Sequence, residues 1–167
     1  MCRAIVGVMA QEAANEKERS GEEIRKILGE HSCVISYEPL VAEVNPFVVF
    51  PEFESVVAYT IAPNRELDPA EEARAAQSAA RAERAIVLLP GRRFDAAGTR
   101  HGKGFGWYDR FLSAVPKDWL RVAFCFSDQF SAEPLVRAAW DEPVDFVCVV
   151  DKNSGDVTFY ETRARVY

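Results

Sequence analysis

Between residues 90 and 111 the chain reads PGRRFDAAGTRHGKGFGWYDRF, its densest run of residues suited to chemistry. Gly98, Gly102, Gly104 and Gly106 surround Arg100 and Lys103. Glycines lack Cβ atoms, so their backbone N–H groups can approach phosphate oxygens closely. Arg100 offers a forked guanidinium and Lys103 a point charge, both suited to an anion. A helix beginning near Trp107 would add the favourable partial charge of its N-terminus. The spacing is not the G-x-x-x-x-G-K-[ST] of a P-loop. Nor is it the dinucleotide fingerprint, which opens a helix directly after a strand. On residue types alone, the stretch is either an anion site or a solvated surface loop.

The elements around the loop narrow this. Residues 86–89 form a continuous apolar run ended by Pro90 and Gly91, the pattern of a strand buried on both faces. The loop then lies at the carboxyl end of a strand, where open α/β sheets place ligands. Apolar runs at 122–126 and 144–150 predict further parallel strands, with helices over 107–115 and 132–139 between them. Asp68, Pro69 and Glu71 give a capped start to an Ala-rich helix reaching about residue 85. Upstream, residues 33–37, 47–50 and 55–61 read as strands punctuated by prolines. Residues 11–29 have helical composition, with Gly21 as an interruption. Residues 153–155 form a turn before a last strand at 157–160. The expected fold is α/β: a single three-layer domain over residues 1–167, with a mostly parallel central sheet flanked by helices.

Of the 167 residues, 49% are hydrophobic, enough for one core. The net charge of −6 argues against a general nucleic-acid binder but permits a local basic loop. Cys2, Cys33, Cys125 and Cys148 show no C-x-x-C spacing, which speaks against zinc and a disulfide framework. Residues 4–10 are a short run for a signal-peptide core, and no apolar run is long enough to span a bilayer. These features predict a cytoplasmic protein with neither nucleic-acid nor membrane partners; a small-molecule substrate and a monomer or weak homodimer are expected but are not read from composition.

The glycine-rich stretch resembles the signature of the 5-formyltetrahydrofolate cyclo-ligase (methenyltetrahydrofolate synthetase) family. That signature reads roughly PG-x-x-F-D-x-x-G-x-R-x-G-[RK]-G-x-G-[YW]-Y-D-x-[FY]-L. The chain supplies Pro90, Gly91, Phe94, Asp95, Gly98, Arg100, Gly102, Lys103, Gly104, Gly106, Trp107, Tyr108, Asp109 and Leu112. Downstream, Ala123, Phe124 and Gln129 fit the next strand and turn, and Asp141, Pro143, Val144 and Asp145 fit a D-x-x-V-D motif. The resemblance covers residues 84–151, with a thinner match over 33–45 that places Glu43 at the family's acidic position.

The resemblance implies an enzyme that uses ATP and Mg²⁺ to convert 5-formyltetrahydrofolate, a reduced folate, into 5,10-methenyltetrahydrofolate. The formyl oxygen would attack the γ-phosphate, N10 would then attack the phosphorylated carbon, and phosphate would leave. It further implies that Arg100, Gly102, Lys103, Gly104, Phe105, Gly106, Trp107 and Tyr108 wrap the triphosphate. Trp107 would also pack against the folate. Lys103 and Glu43 would act on the reacting groups, and Asp109 and Asp141 would hold Mg²⁺. The alternative roles are a helix first-turn carboxylate for Asp109, a core residue for Trp107 and a turn residue for Asp141. Three departures stand out. The family's basic N-terminal helix has only Lys17, Arg19, Arg25 and Lys26 among many glutamates. The helix expected after Glu43 is missing, and Trp107 stands where most members have Tyr. A non-catalytic paralogue binding a nucleotide or folate, or another phosphate-handling enzyme, are the competing readings.

Overall fold

The computed structural model describes residues 18–64, 66–81 and 83–162. In chain order the first elements are β1 (Glu18–Arg19), α1 (Gly21–Leu28), β2 (Cys33–Tyr37), α2 (Pro46–Val49), β3 (Val57–Ile61) and α3 (Pro69–Ala80). There follow β4 (Ala85–Leu89), β5 (Arg93–Asp95), β6 (Arg100–His101) and α4 (Trp107–Ala114). The last are β7 (Leu120–Phe126), β8 (Phe130–Ser131), β9 (Phe146–Val150) and β10 (Val157–Glu161).

The apolar runs assemble into a seven-stranded sheet of order β1-β10-β9-β7-β4-β2-β3. Five adjacent strands, β9, β7, β4, β2 and β3, pair in parallel, while β10 and β1 add antiparallel beyond β9. Each central strand sends alternate side chains into two cores. On β7, Ala123 and Cys125 join α3 and α4 in one core, while Val122 and Phe124 join α1 and the α2 region in the other. This is the expected three-layer α/β arrangement. Connections from β3 through β4 and β7 to β9 travel in one direction across the sheet and lie on the α3–α4 face. The connection from β2 to β3 travels the opposite way and lies on the other face. Right-handed crossovers require this division. The chain therefore reverses direction between β2 and β4, which opens a crevice at their carboxyl ends.

Several expectations are corrected. Residues 47–50 are not a strand: Asn45 caps the N–H of Phe47 at 3.0 Å, Pro46 starts a helical turn, and a 3₁₀ turn (Pro51–Val56) follows. The helix found missing after Glu43 is thus present in shortened form, and β3 begins at Val57 rather than at 55. Residues 132–139 are not a helix. Pro134 has no N–H, and its neighbours' backbone groups are used elsewhere. Leu135 N donates to Asp95 Oδ2 (2.7 Å), Ala138 N donates to Asp141 Oδ2 (2.8 Å), and Val136 O bonds the His101 ring (2.6 Å). Gly21 begins α1 rather than interrupting a helix, because Ser20 and Glu23 form a capping box. Residues 11–17 lie outside the described residues. Asp68 caps α3 through Ala70 N at 2.9 Å, and the helix stops at Ala80 rather than near 85. The second sheet, β6-β5-β8, was not anticipated.

The α3 helix approaches the sheet closely because Ala73 and Ala76 are fully buried and Ala80 nearly so. Ala76→Leu should therefore overpack this layer and cost roughly 1–3 kcal/mol. Urea unfolding checks it, with a fall in the transition midpoint at unchanged m-value as the expected result.

Candidate active site

A cleft of about 610 Å³ opens at the carboxyl ends of β2 and β4. One wall comes from the segment after β2, with Leu40, Ala42 and Glu43. A second comes from Pro90, Gly91 and Arg92 after β4, and from residues 100–109. Trp140 and Asp141, from the β7–β9 crossover, complete it. The residues to which the resemblance gave a catalytic, binding or metal role line one cavity: Glu43, Arg100, Gly102, Lys103, Gly104, Phe105, Gly106, Trp107, Tyr108, Asp109 and Asp141.

The glycine loop is held from behind. Asp95 is buried at 1% exposure, and its carboxylate accepts from three backbone groups. These are Ala97 N at 3.0 Å, Thr99 N at 2.8 Å and Leu135 N at 2.7 Å. It closes the β5–β6 hairpin and pins the crossover to it in one stroke. Gly98 sits at φ 81°, and a Cβ there would lie 2.6 Å from Val144 O, so only glycine fits. Gln129 bridges the end of β7 to β4's loop, accepting from Phe126 N at 2.8 Å and donating to Gly91 O at 3.3 Å.

In front, the loop is open. Gly104 and Gly106 take φ of 89° and 58°, with no atom within 4 Å of where a Cβ would stand. Gly106 caps α4 and makes no side-chain cap hydrogen bond. Lys103 is exposed at the cleft, and no carboxylate among the described residues pairs with it. Arg100 is different. Its side chain is only 3% exposed, reaches Asp109 Oδ2 at 3.3 Å and lies 5.1 Å over the ring of buried Tyr108. Asp109 Oδ1 accepts from Glu142 N at 3.0 Å.

Glu43 is held by its own turn, its carboxylate accepting from Leu40 N at 2.9 Å. The phenol of Tyr37 donates to Val44 O and anchors the same turn. Burial first, then the Glu43 charge, push that phenol well above its ordinary pKa, keeping it a neutral donor. Trp107 stacks on Phe111 at 5.7 Å, and its indole N–H reaches Leu67 O at 3.4 Å. It is partly core and partly cleft wall. Arg25 pairs with Glu52 at 3.2 Å and Arg19 with Glu161 at 2.6 Å, and neither lines the cleft. Lys17 lies outside the described residues. Sequence reasoning missed Arg92, His101 and Trp140 as lining residues. The clearest available signal was Trp140, a large aromatic next to Asp141, which remains 76% exposed.

A model of the 5-formyltetrahydrofolate cyclo-ligase family matches residues 52–150, more than half of the chain. The chain belongs to the 5-formyltetrahydrofolate cyclo-ligase family. Family membership indicates an enzyme with 5-formyltetrahydrofolate cyclo-ligase activity. Among solved structures it is similar to 5,10-methenyltetrahydrofolate synthetase from Aquifex aeolicus. That match has 24% identity and a TM-score of 0.50, covering 95% of this chain and 91% of the other. It is also similar to the 5,10-methenyltetrahydrofolate synthetase from Mycoplasma pneumoniae, at 20% identity and a TM-score of 0.48, over 76% and 80% of the two chains. No curated protein matches significantly.

Several residues of the cyclo-ligase signature are thus architectural. Asp95→Ala should leave the N–H groups of Ala97, Thr99 and Leu135 without their acceptor and destabilise the fold by more than about 2 kcal/mol. Gly98→Ala should cost more than about 1 kcal/mol, from backbone strain and the contact with Val144 O. Thermal unfolding of both variants checks this; melting temperatures equal to wild type would contradict it.

Proposed function

We propose that this chain converts 5-formyltetrahydrofolate into 5,10-methenyltetrahydrofolate with hydrolysis of ATP, in the cytoplasm, as a single-domain monomer or weak homodimer. The observation that carries the reading is convergence. Glu43, the 100–109 loop and Asp141 come from three separate segments, yet line one cleft at the point where the sheet's connections reverse. Among the described residues no helix is long and apolar enough to cross a membrane.

On this reading the 102–106 backbone and the first turn of α4 bind the triphosphate, and Arg100 and Lys103 offset its charge. Lys103 lies at the open front and places its ammonium beside the transferring phosphoryl group. Glu43, from the segment after β2, orients the reacting end of the folate. Trp107 offers a flat apolar surface to the same ligand. ATP supplies a phosphoryl group that turns the formyl oxygen into a leaving group, and the protein's part is positioning and charge neutralisation.

Among the described residues no three His, Cys, Asp or Glu side chains gather, so a metal held by protein alone does not fit. Mg²⁺ fits a different pattern, with one or two carboxylates plus phosphate oxygens and waters. Asp109 and Asp141 are hard oxygen donors at one cleft and meet that pattern. Each Asp109 oxygen has one protein partner and retains a lone pair for another. One observation favours a second reading, the non-catalytic paralogue: Arg100 pairs with Asp109 and offsets the charge a metal would need.

Two variants separate these readings. Lys103→Ala should weaken ATP binding by calorimetry by roughly tenfold, as one charge-assisted contact is lost. Asp109→Asn should abolish turnover at every Mg²⁺ concentration while the protein stays folded. Equal turnover in Asp109→Asn and wild type would reject the metal assignment. ATP binding without turnover in wild type would select the paralogue.

A further inference from the structure

Behind the cleft, β7 carries a charge where its neighbours are apolar. Arg121 is 0% exposed, between Leu120 and Val122. Its guanidinium donates to Glu142 Oε2, to Pro143 O at 3.2 Å and to Leu112 O at 3.0 Å. Its own backbone N–H donates to Asp145 Oδ2 at 2.8 Å. Arg121 therefore binds both the last turn of α4 and residues 142–145 of the crossover. A strand gains nothing from a buried guanidinium that an apolar residue would not supply, since desolvating it is costly. What the arginine adds is direction: its planar fork fixes several acceptors at once.

The fixed point lies one bond from the cleft. Glu142, held by Arg121 through its side chain and by Lys117 at 3.3 Å, donates its backbone N–H to Asp109 Oδ1 at 3.0 Å. Burial alone would raise the Glu142 carboxyl. The hydrogen bond and charge of Arg121, then those of Lys117, outweigh it and hold the group below its usual range, so it stays ionised. We propose that Arg121 and Glu142 are positioning residues for the cleft's acidic edge: Arg121 clamps Glu142, and the Glu142 amide sets the orientation of Asp109 against Arg100. The same clamp fixes the neighbouring residue Asp141. Neither Arg121 nor Glu142 lines the cleft, and both act through Asp109. The consequence for catalysis rests on the cyclo-ligase reading; the clamp itself does not.

The test uses the full chain with Arg121→Lys, Arg121→Gln and Glu142→Ala, and two readouts. Amide hydrogen exchange at residue 142 reports the bond to Asp109 without reference to activity. Turnover of 5-formyltetrahydrofolate across a Mg²⁺ titration reports its consequence. Arg121→Gln and Glu142→Ala should speed exchange at residue 142 by about tenfold, the equivalent of one lost hydrogen bond. The Mg²⁺ needed for half-maximal rate should rise roughly 10- to 100-fold, with the folate KM unchanged. Arg121→Lys should recover part of both. If Arg121→Gln does not fold, the partly exposed Glu142→Ala decides. Wild-type exchange at residue 142 in a folded variant overturns the proposal. Fast exchange with an unaltered Mg²⁺ requirement also overturns it, leaving a purely structural clamp. If wild type itself shows no turnover, the cyclo-ligase reading fails, and exchange alone decides the clamp.

Discussion

The site depends on one partly buried carboxylate. Asp109, with a side chain 13% exposed, takes the guanidinium of Arg100 on one oxygen and the amide of Glu142 on the other. A guanidinium as buried as Arg100 is costly without a partner, and so is a carboxylate in that place. Each makes the other tolerable, and together they join the glycine loop to the β7–β9 crossover. Without that joint the cleft would lose its shared edge. The glycine loop would lose its direct link to the residue beside Asp141.

Asp95 repeats the device behind the loop, where a single carboxylate gathers backbone donors from the hairpin and the crossover. This explains why the crossover can be irregular. A helix there would spend its N–H groups on itself. The extended chain of residues 132–139 spends them on Asp95 and Asp141 instead, and these bonds aim Trp140 and Asp141 into the cleft. The irregular segment is stabilised by the carboxylates it helps to position.

This mutual dependence also marks the limit of what sequence could show. The parallel strands at 86–89 and 122–126 were legible because burial on both faces leaves an unbroken apolar run, and the glycine loop because few other constraints select such spacing. Residues 47–50 misled because Phe-Val-Val-Phe has strand propensity, and the cap from Asn45 and a buried face overrode it. Residues 132–139 misled because local composition cannot reveal that the Asp95 and Asp141 carboxylates and the His101 ring compete for the backbone groups. The two- and three-residue strands of the small sheet carry too few side chains to show a period. Among signature residues, the sequence did not distinguish those facing the cleft, such as Lys103, from those that build it, such as Asp95 and Gly98.

On the proposed reading, the cleft couples phosphate handling to closure of a folate ring. The most direct measurement is the absorbance of methenyltetrahydrofolate formed from 5-formyltetrahydrofolate by the full chain, with and without ATP. The cyclo-ligase reading predicts product only when ATP and Mg²⁺ are both present. Product formed equally without ATP, or none under any condition, would contradict it.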